Sequence, residues 1–459
     1  MLERLERHMT ADGGYAELRL HRNLSRRVAM RRCSLIENST STLAGSSARC
    51  HAIGTFGFAS VPAEDDVALE HVLAEARANA ELIGRRAGHS DRPLPMTAPG
   101  QGIYDYHSKR TKLPAAVRID LLKQVDDYVR TRFPDVINAD VVLGELAIEK
   151  ALVTSEGARS YCFSPRTALV IVLSVQGPDG AMQLHKVLGS FGEFEDQYEM
   201  LAAFAPAVDE LHEDLRRKAD GVFCEAGMHD VVIDSDVAGI LAHEAIGHTC
   251  EADLVLAGSV AADQIGQQVA SEKITLVDQA GRGFDGEAGV AIHVDDEGTP
   301  CRDVAIIQNG VLKGFLHNKS TALELGAEPT GNARAYTFSD EPLVRMRNTA
   351  ILPGRDRFAD MIGAIERGYY LKRSSNGQAD LTSEFMFGIA CGYEIRNGRL
   401  GRAIRDTTIS GIAFDVLREA THVGDEFTWS VGGWCGKKTL IPVSMGGPAI
   451  KTRLNVGGR

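Results

Sequence analysis

The sequence predicts an α+β protein: a mixed N-terminal α+β domain over residues 1–219, then a β-rich C-terminal domain over 220–459 that carries a helix with an H-E-x-x-x-H motif. Three observations predict it. Strand-like runs and three helical segments are mixed in the first half; short β-like runs broken by glycine fill the second; and "DSDVAGILAHEAIGH" is the main helical pattern there. A chain of 459 residues is also too long for one compact core.

In order, residues 15–60 read as strands separated by polar turns: "YAELRLHR", "RRVAMRRCSLIENS" and "SARCHAIGTFGFASV". Asp65 or Asp66 caps a helix with Val67, Val72, Leu73, Ala76 and Ala80 near helical spacing. A second helix follows Pro114, with Val117, Leu121, Leu122, Val125 and Val129 on one face. Meandering strands come next, with "GPDG" at 177–180 as a turn, and "APAVDELHEDLRRKAD" is a connecting helix. The boundary between domains is set there. Beyond it, Asp234, Ser235 or Asp236 caps the helix with Val237, Ile240 and Leu241 on its buried side. Asn309-Gly310 and Asn397-Gly398 mark hairpins, and the segment from 426 reads as strands between glycine-rich turns.

The composition is that of a globular protein, 44% hydrophobic and 24% charged, with no apolar run approaching a membrane span. The N-terminus "MLERLERHMTADGGYAEL" has no signal-peptide pattern, so a cytoplasmic location is expected. A net charge of −12 argues against a nucleic-acid surface, and "NLSRRVAMRR" reads as a strand with solvated arginines. The eight cysteines form no C-x-x-C pair and are expected to be mostly buried thiols.

The stretch "LAHEAIGHTCEAD" carries the chemistry. His243 and His248 are five apart, whereas the familiar H-E-x-x-H pattern has four. On a regular α-helix residues five apart splay by roughly 140°. Gly247 lets the helix end, or widen by one residue, and swing His248 back toward His243. Glu244 is then placed as a general base for a metal-bound water. The competing reading is two satisfied histidines with no metal. A catalytic zinc usually takes three protein ligands. Cys250, Glu251, Asp253 and Cys435 are the candidates for the third, and the lysines of "GGWCGKK" favour a thiolate at Cys435.

Together, "HEAIGHTCEAD" and "CGKKTLIPVSMGGP" resemble the TldD/PmbA family of metallopeptidases, in its zinc-bearing TldD-type branch. So do "VDDEGTP", "GVLKGFLHNKSTALELG", "PTGNARA", "VRMRNTAILPG", "NGQADLTSEFMFG" and "RDTTISG", in the family's order, and "AIGTFGFAS" near the N-terminus. The resemblance implies a zinc peptidase in which His243, His248 and Cys435 bind Zn2+ and Glu244 activates water. It implies unfolded or short peptides as substrates, in general proteolysis or in maturation of a peptide product. It also implies a homodimer, or a heterodimer with a PmbA/TldE-type subunit, and neither nucleic acid nor membrane as partner. The loop after His248 and the first 220 residues depart furthest from the family pattern. Two other functions compete. One is a zinc amidohydrolase acting on a specialised biosynthetic conjugate; the other is a non-catalytic partner subunit, which the presence of Glu244 and both histidines opposes.

Overall fold

Residues 16–61 fold into three successive antiparallel strands in the computed structural model, which describes all residues except 10–13, 89, 91, 431 and 459. These are β1 (Ala16–Arg31), β2 (Ser34–Ala52) and β3 (Thr55–Val61). The first turn falls at Arg32 and Cys33, both in the left-handed region (φ 47° and 62°). Residues 23–31 of "NLSRRVAMRR" lie in β1, continuous with 16–22. With β4 (Gln101–Asp105), β5 (Val136–Thr154), β6 (Arg159–Gly177) and β7 (Gly180–Phe191), they form a seven-stranded sheet of order β3-β2-β1-β5-β6-β4. The same edge of β6 pairs in parallel with β4 over its first residues and antiparallel with β7 over the rest.

Alternation along β1 explains how this sheet is used. Leu18, Leu20, Val28 and Met30 face helices: Asp66–Ala87 lies over one end of the sheet, and Ala115–Arg132 and Ala205–Ala219 over the other. Val67 does not join that packing: it is 75% exposed, and Leu69 takes its place. The opposite row, Glu17, Arg19, His21 and Asn23, is also buried. Its polar side chains are matched across to the second half of the chain: Asn23 Nδ2 donates to the Tyr336 carbonyl (2.7 Å), and Arg49 on β2 pairs with Glu17 and Glu297. The apolar/polar alternation of β1 is thus intact in the sequence, but its polar face is covered by the second half of the chain rather than by solvent.

The second half contains an eleven-stranded, mostly antiparallel sheet. Its long strand Ser444–Val456 runs parallel to Asn348–Ile351 and antiparallel to Gly227–Ile233 and His422–Ser430. The strand Gly227–Ile233 feeds the short helix Ser235–Ile240, which lies on Ser444–Val456. Gly239 and Gly447 permit that close approach: a Cβ on Gly447 would lie 3.1 Å from the Ala238 Cβ, and one on Gly239 would lie 3.1 Å from the Gly446 N. The strand expected across residue 431 ends at Ser430, and residue 431 itself lies outside the described residues. The two Asn-Gly hairpins form with positive φ at all four residues. Among the described residues, no helix is long and apolar enough to cross a membrane.

Candidate metal centre

Asp234 caps the helix Ser235–Ile240, its carboxylate accepting the Val237 N–H at 2.9 Å. From Leu241 to Gly247 the helix widens to a π-helix, and a 3₁₀ turn, His248–Cys250, follows. The backbone N–H of His248 donates to the carbonyl of His243, so the two histidines are one wide turn apart and lie on the same side. Their rings meet edge to face with centroids 5.2 Å apart. Gly247 makes this possible through its missing Cβ rather than through backbone freedom. Its φ of −56° suits any residue, but a Cβ would lie 2.0 Å from the Met346 Sδ.

The third member comes from 187 positions further along the chain than His248. Cys435 lies on a hairpin, Trp434–Lys437 paired with Thr439–Pro442, and its Sγ is 3.4 Å from His248 Nε2. Ligand atoms of His243, His248 and Cys435 all lie within 4.8 Å of one another. Arg345 pins the hairpin by donating to the carbonyls of Cys435 (2.6 Å), Lys437 (3.1 Å) and Thr439 (3.1 Å). The other sequence candidates are drawn elsewhere. Cys250 is buried apart from the cluster beside Thr249, and Asp253 binds Lys437 at 2.7 Å.

Glu251 stands behind His248. It accepts from His248 Nδ1 at 2.7 Å and from Lys437 Nζ at 3.3 Å, with no exposed side-chain surface. Holding Nδ1 leaves Nε2 turned to the cluster, as an orienting carboxylate does in metal sites. Lys437 therefore ties the histidine segment to the cysteine hairpin. It does not face the thiol, contrary to the expectation that neighbouring lysines favour the thiolate. The histidines do that instead. Burial opposes ionisation of Cys435, yet His243 and His248 outweigh it and bring the thiol down to about 4. Burial likewise opposes charge on His248, and Glu251 overcomes it, holding the imidazole well above its usual range.

His243 gives the fit test for a metal. It is completely buried, and neither ring nitrogen has a hydrogen-bond partner among the described residues. An orphaned imidazole in an apolar helix is costly unless something binds it. Two imidazoles and a thiolate match the borderline-soft donor set of zinc, with room for a fourth position. Glu244 Oε2 lies 3.6 Å from His248 Nε2. Both line a cleft of about 920 Å³, whose far wall includes residues 377–381 and 410–412.

A buried nitrogen-and-sulfur donor set with a carboxylate on the wall of an open cleft has the chemistry of a hydrolytic metalloprotein. Comparison with known proteins makes the class specific. Residues 226–458 match the PmbA/TldA metallopeptidase C-terminal domain. A metalloprotease of Methanocaldococcus jannaschii is 30% identical over 460 residues, covering 98% of each chain. A zinc metalloprotease TldD homolog of Saccharolobus solfataricus is 30% identical over 344 residues, 74% of this chain and 76% of its own. Among solved structures, TldE from Thermococcus kodakarensis superposes with a TM-score of 0.75 at 17% identity, over 100% of this chain and 99% of its own, a likeness of fold. The chain belongs to the PmbA/TldD family of metallopeptidases.

Proposed function

We propose that the chain is a zinc-dependent peptidase that hydrolyses peptide bonds in unfolded or short peptides, with His243, His248 and Cys435 holding the metal and Glu244 as general base. The convergence of those three side chains, with His243 otherwise unpartnered, supports the reading most strongly. When bound, zinc supplies a Lewis acid that polarises the scissile carbonyl and acidifies water. Glu244, at the cleft wall, takes a proton from the attacking water and returns it to the leaving amine. Glu251 fixes the tautomer and orientation of His248, and Arg345 holds the hairpin that presents Cys435.

The cleft suits an extended chain. Residues 410–412 pair with 384–386 on one side, and beyond Ser410 no strand among the described residues covers the other. A peptide laid along such an edge is read through its backbone, so the reading calls for an unfolded substrate of varied sequence. We further propose that residues 1–219 act as a separate domain, and that the chain works as a homodimer or with a PmbA/TldE-type subunit, a reading favoured by the structural likeness to TldE.

The test uses one protein substrate offered native and offered reduced and denatured under the same conditions. Cleavage of the denatured form alone is expected; equal cleavage of both would remove the extended-strand reading and leave the specialised conjugate as the better substrate class.

A further inference from the structure

Arg166, on β6, packs against a tryptophan, whereas Arg26, which lines the same grooves, bonds to Thr40. Its guanidinium lies over the Trp434 ring, 4.6 Å from the centroid, and its Nη1 donates to the Gly433 carbonyl at 3.2 Å. No carboxylate among the described residues comes within ion-pair distance of it. The acids that share its surroundings are engaged elsewhere: Glu37 by Arg27, Glu145 by Arg118 and Glu193 by Lys112. Burial with no anion beside it lowers the guanidinium to about 10.

The space around Arg166 is open. A groove of about 480 Å³ runs along the helix-free face of the N-terminal sheet, and a smaller one of about 260 Å³ adjoins it; Arg166 lines both. Leu146, Ala168, Val170 and Val187 flank it there, and Arg26, Arg27, Glu37 and Glu145 also line the groove. With the ring face of Trp434 below and Nη1 committed, the remaining edge of the guanidinium is Nε with Nη2. Those two parallel donors match the two oxygens of a carboxylate.

We propose that Arg166, braced on Trp434, is a binding site for a carboxylate carried by a peptide, seated in the groove on the N-terminal sheet and separate from the metal cluster. The apolar flanks favour a carboxylate on a short apolar segment, as at a peptide chain end. The site connects to the metal centre through the hairpin, since Trp434 precedes Cys435. Binding at Arg166 is therefore measurable whether or not zinc is bound and whether or not the chain is a peptidase.

The chain has two tryptophans, so Trp429→Phe leaves Trp434 as the only one and its fluorescence reports on the site. The probes are N-acetylvaline, which has a free carboxylate, N-acetylvalinamide, which has none, and the α-amide of N-acetylaspartic acid, with its carboxylate on the side chain. Each is titrated into the full chain as isolated and after dialysis against a chelator, and the native chain is measured in parallel by calorimetry. N-acetylvaline is expected to give a saturable change, with the amide about ten- to a hundredfold weaker, the range for a hydrogen bond to a charged group. Arg166→Gln should abolish the difference, and Arg166→Lys should keep part of it. Binding of the aspartic acid derivative as tight as that of N-acetylvaline upholds the carboxylate site and assigns it to acidic side chains; weaker binding assigns it to chain ends. Equal responses to N-acetylvaline and its amide in the native chain would overturn the proposal, as would an undiminished response in folded Arg166→Gln.

Discussion

The His248 N–H donates to the carbonyl of His243, five residues earlier, and this one hydrogen bond turns an H-E-x-x-x-H spacing into a facing pair. An α-helical bond at the same place would splay the two rings apart by roughly 140°. Gly247 defends the wide turn by leaving room for Met346. Gly247→Ala should therefore cost about 1–3 kcal/mol of stability through overpacking and lower the zinc content. Met346→Ala in the same chain should restore part of both. Elemental analysis and thermal unfolding check this, and a Gly247→Ala protein with full zinc and native melting would remove the steric argument.

Cys435→Ala should leave two histidine ligands and lose most of the bound zinc, because a three-donor set without its thiolate is incomplete. Its fold should persist, since Arg345 grips the hairpin through backbone carbonyls, which the substitution leaves in place. Zinc per chain at the native level would take Cys435 out of the site.

Glu251→Gln keeps the shape but weakens the hold on His248 Nδ1 and removes one of the two carboxylates that Lys437 binds, leaving Asp253. Zinc affinity should fall by about 10- to 100-fold, the usual effect of losing an orienting carboxylate. A competition titration with a chromophoric chelator reads it directly. Unchanged affinity would mean that His248 is oriented by packing alone.

The interface between the two halves has its own pH signature. Burial pushes the Glu17 carboxyl up, Arg49 pulls it down, and Glu297, which shares Arg49, raises it again, for a net value of about 7. A carboxyl raised in the folded state binds its proton more tightly than in the unfolded chain. The stability this group contributes is therefore full below about pH 4.5 and is lost as pH rises through 7, by about 3 kcal/mol. Glu17→Gln, which resembles the protonated form, should gain stability over the native chain progressively from pH 5 to 8 in denaturant titrations. A constant difference across that range would refute the assignment.

Much of the site could be read in the chain because its parts are local. The H-E dipeptide, the apolar helix before it and the glycine before His248 all lie within thirteen residues. The role of that glycine was less legible, because the Met346 side chain that requires it comes from a distant segment. Cys435 could not be separated from Cys250, Glu251 and Asp253 by residue chemistry alone; their separation is tertiary, since the 3₁₀ turn aims Glu251 at the back of His248. Its spacing of three from His248 was the available signal for that role. The turn at Arg32 and Cys33 carries neither glycine nor asparagine, so nothing local marked it. In β1 the alternation is plain, but nothing local shows that its polar row is buried by the second half of the chain.

The most direct test of the account is Glu244→Gln. Glu244 lines the cleft beside His248 without belonging to the three-residue cluster, so the amide should leave fold and zinc content native. An amide cannot accept the proton of the attacking water, and positioned general-base catalysis is worth about 10²- to 10⁴-fold. Peptide hydrolysis by the zinc-loaded variant should fall by at least that factor, with zinc stoichiometry unchanged. Hydrolysis close to the native rate in a fully zinc-loaded Glu244→Gln protein would contradict the account.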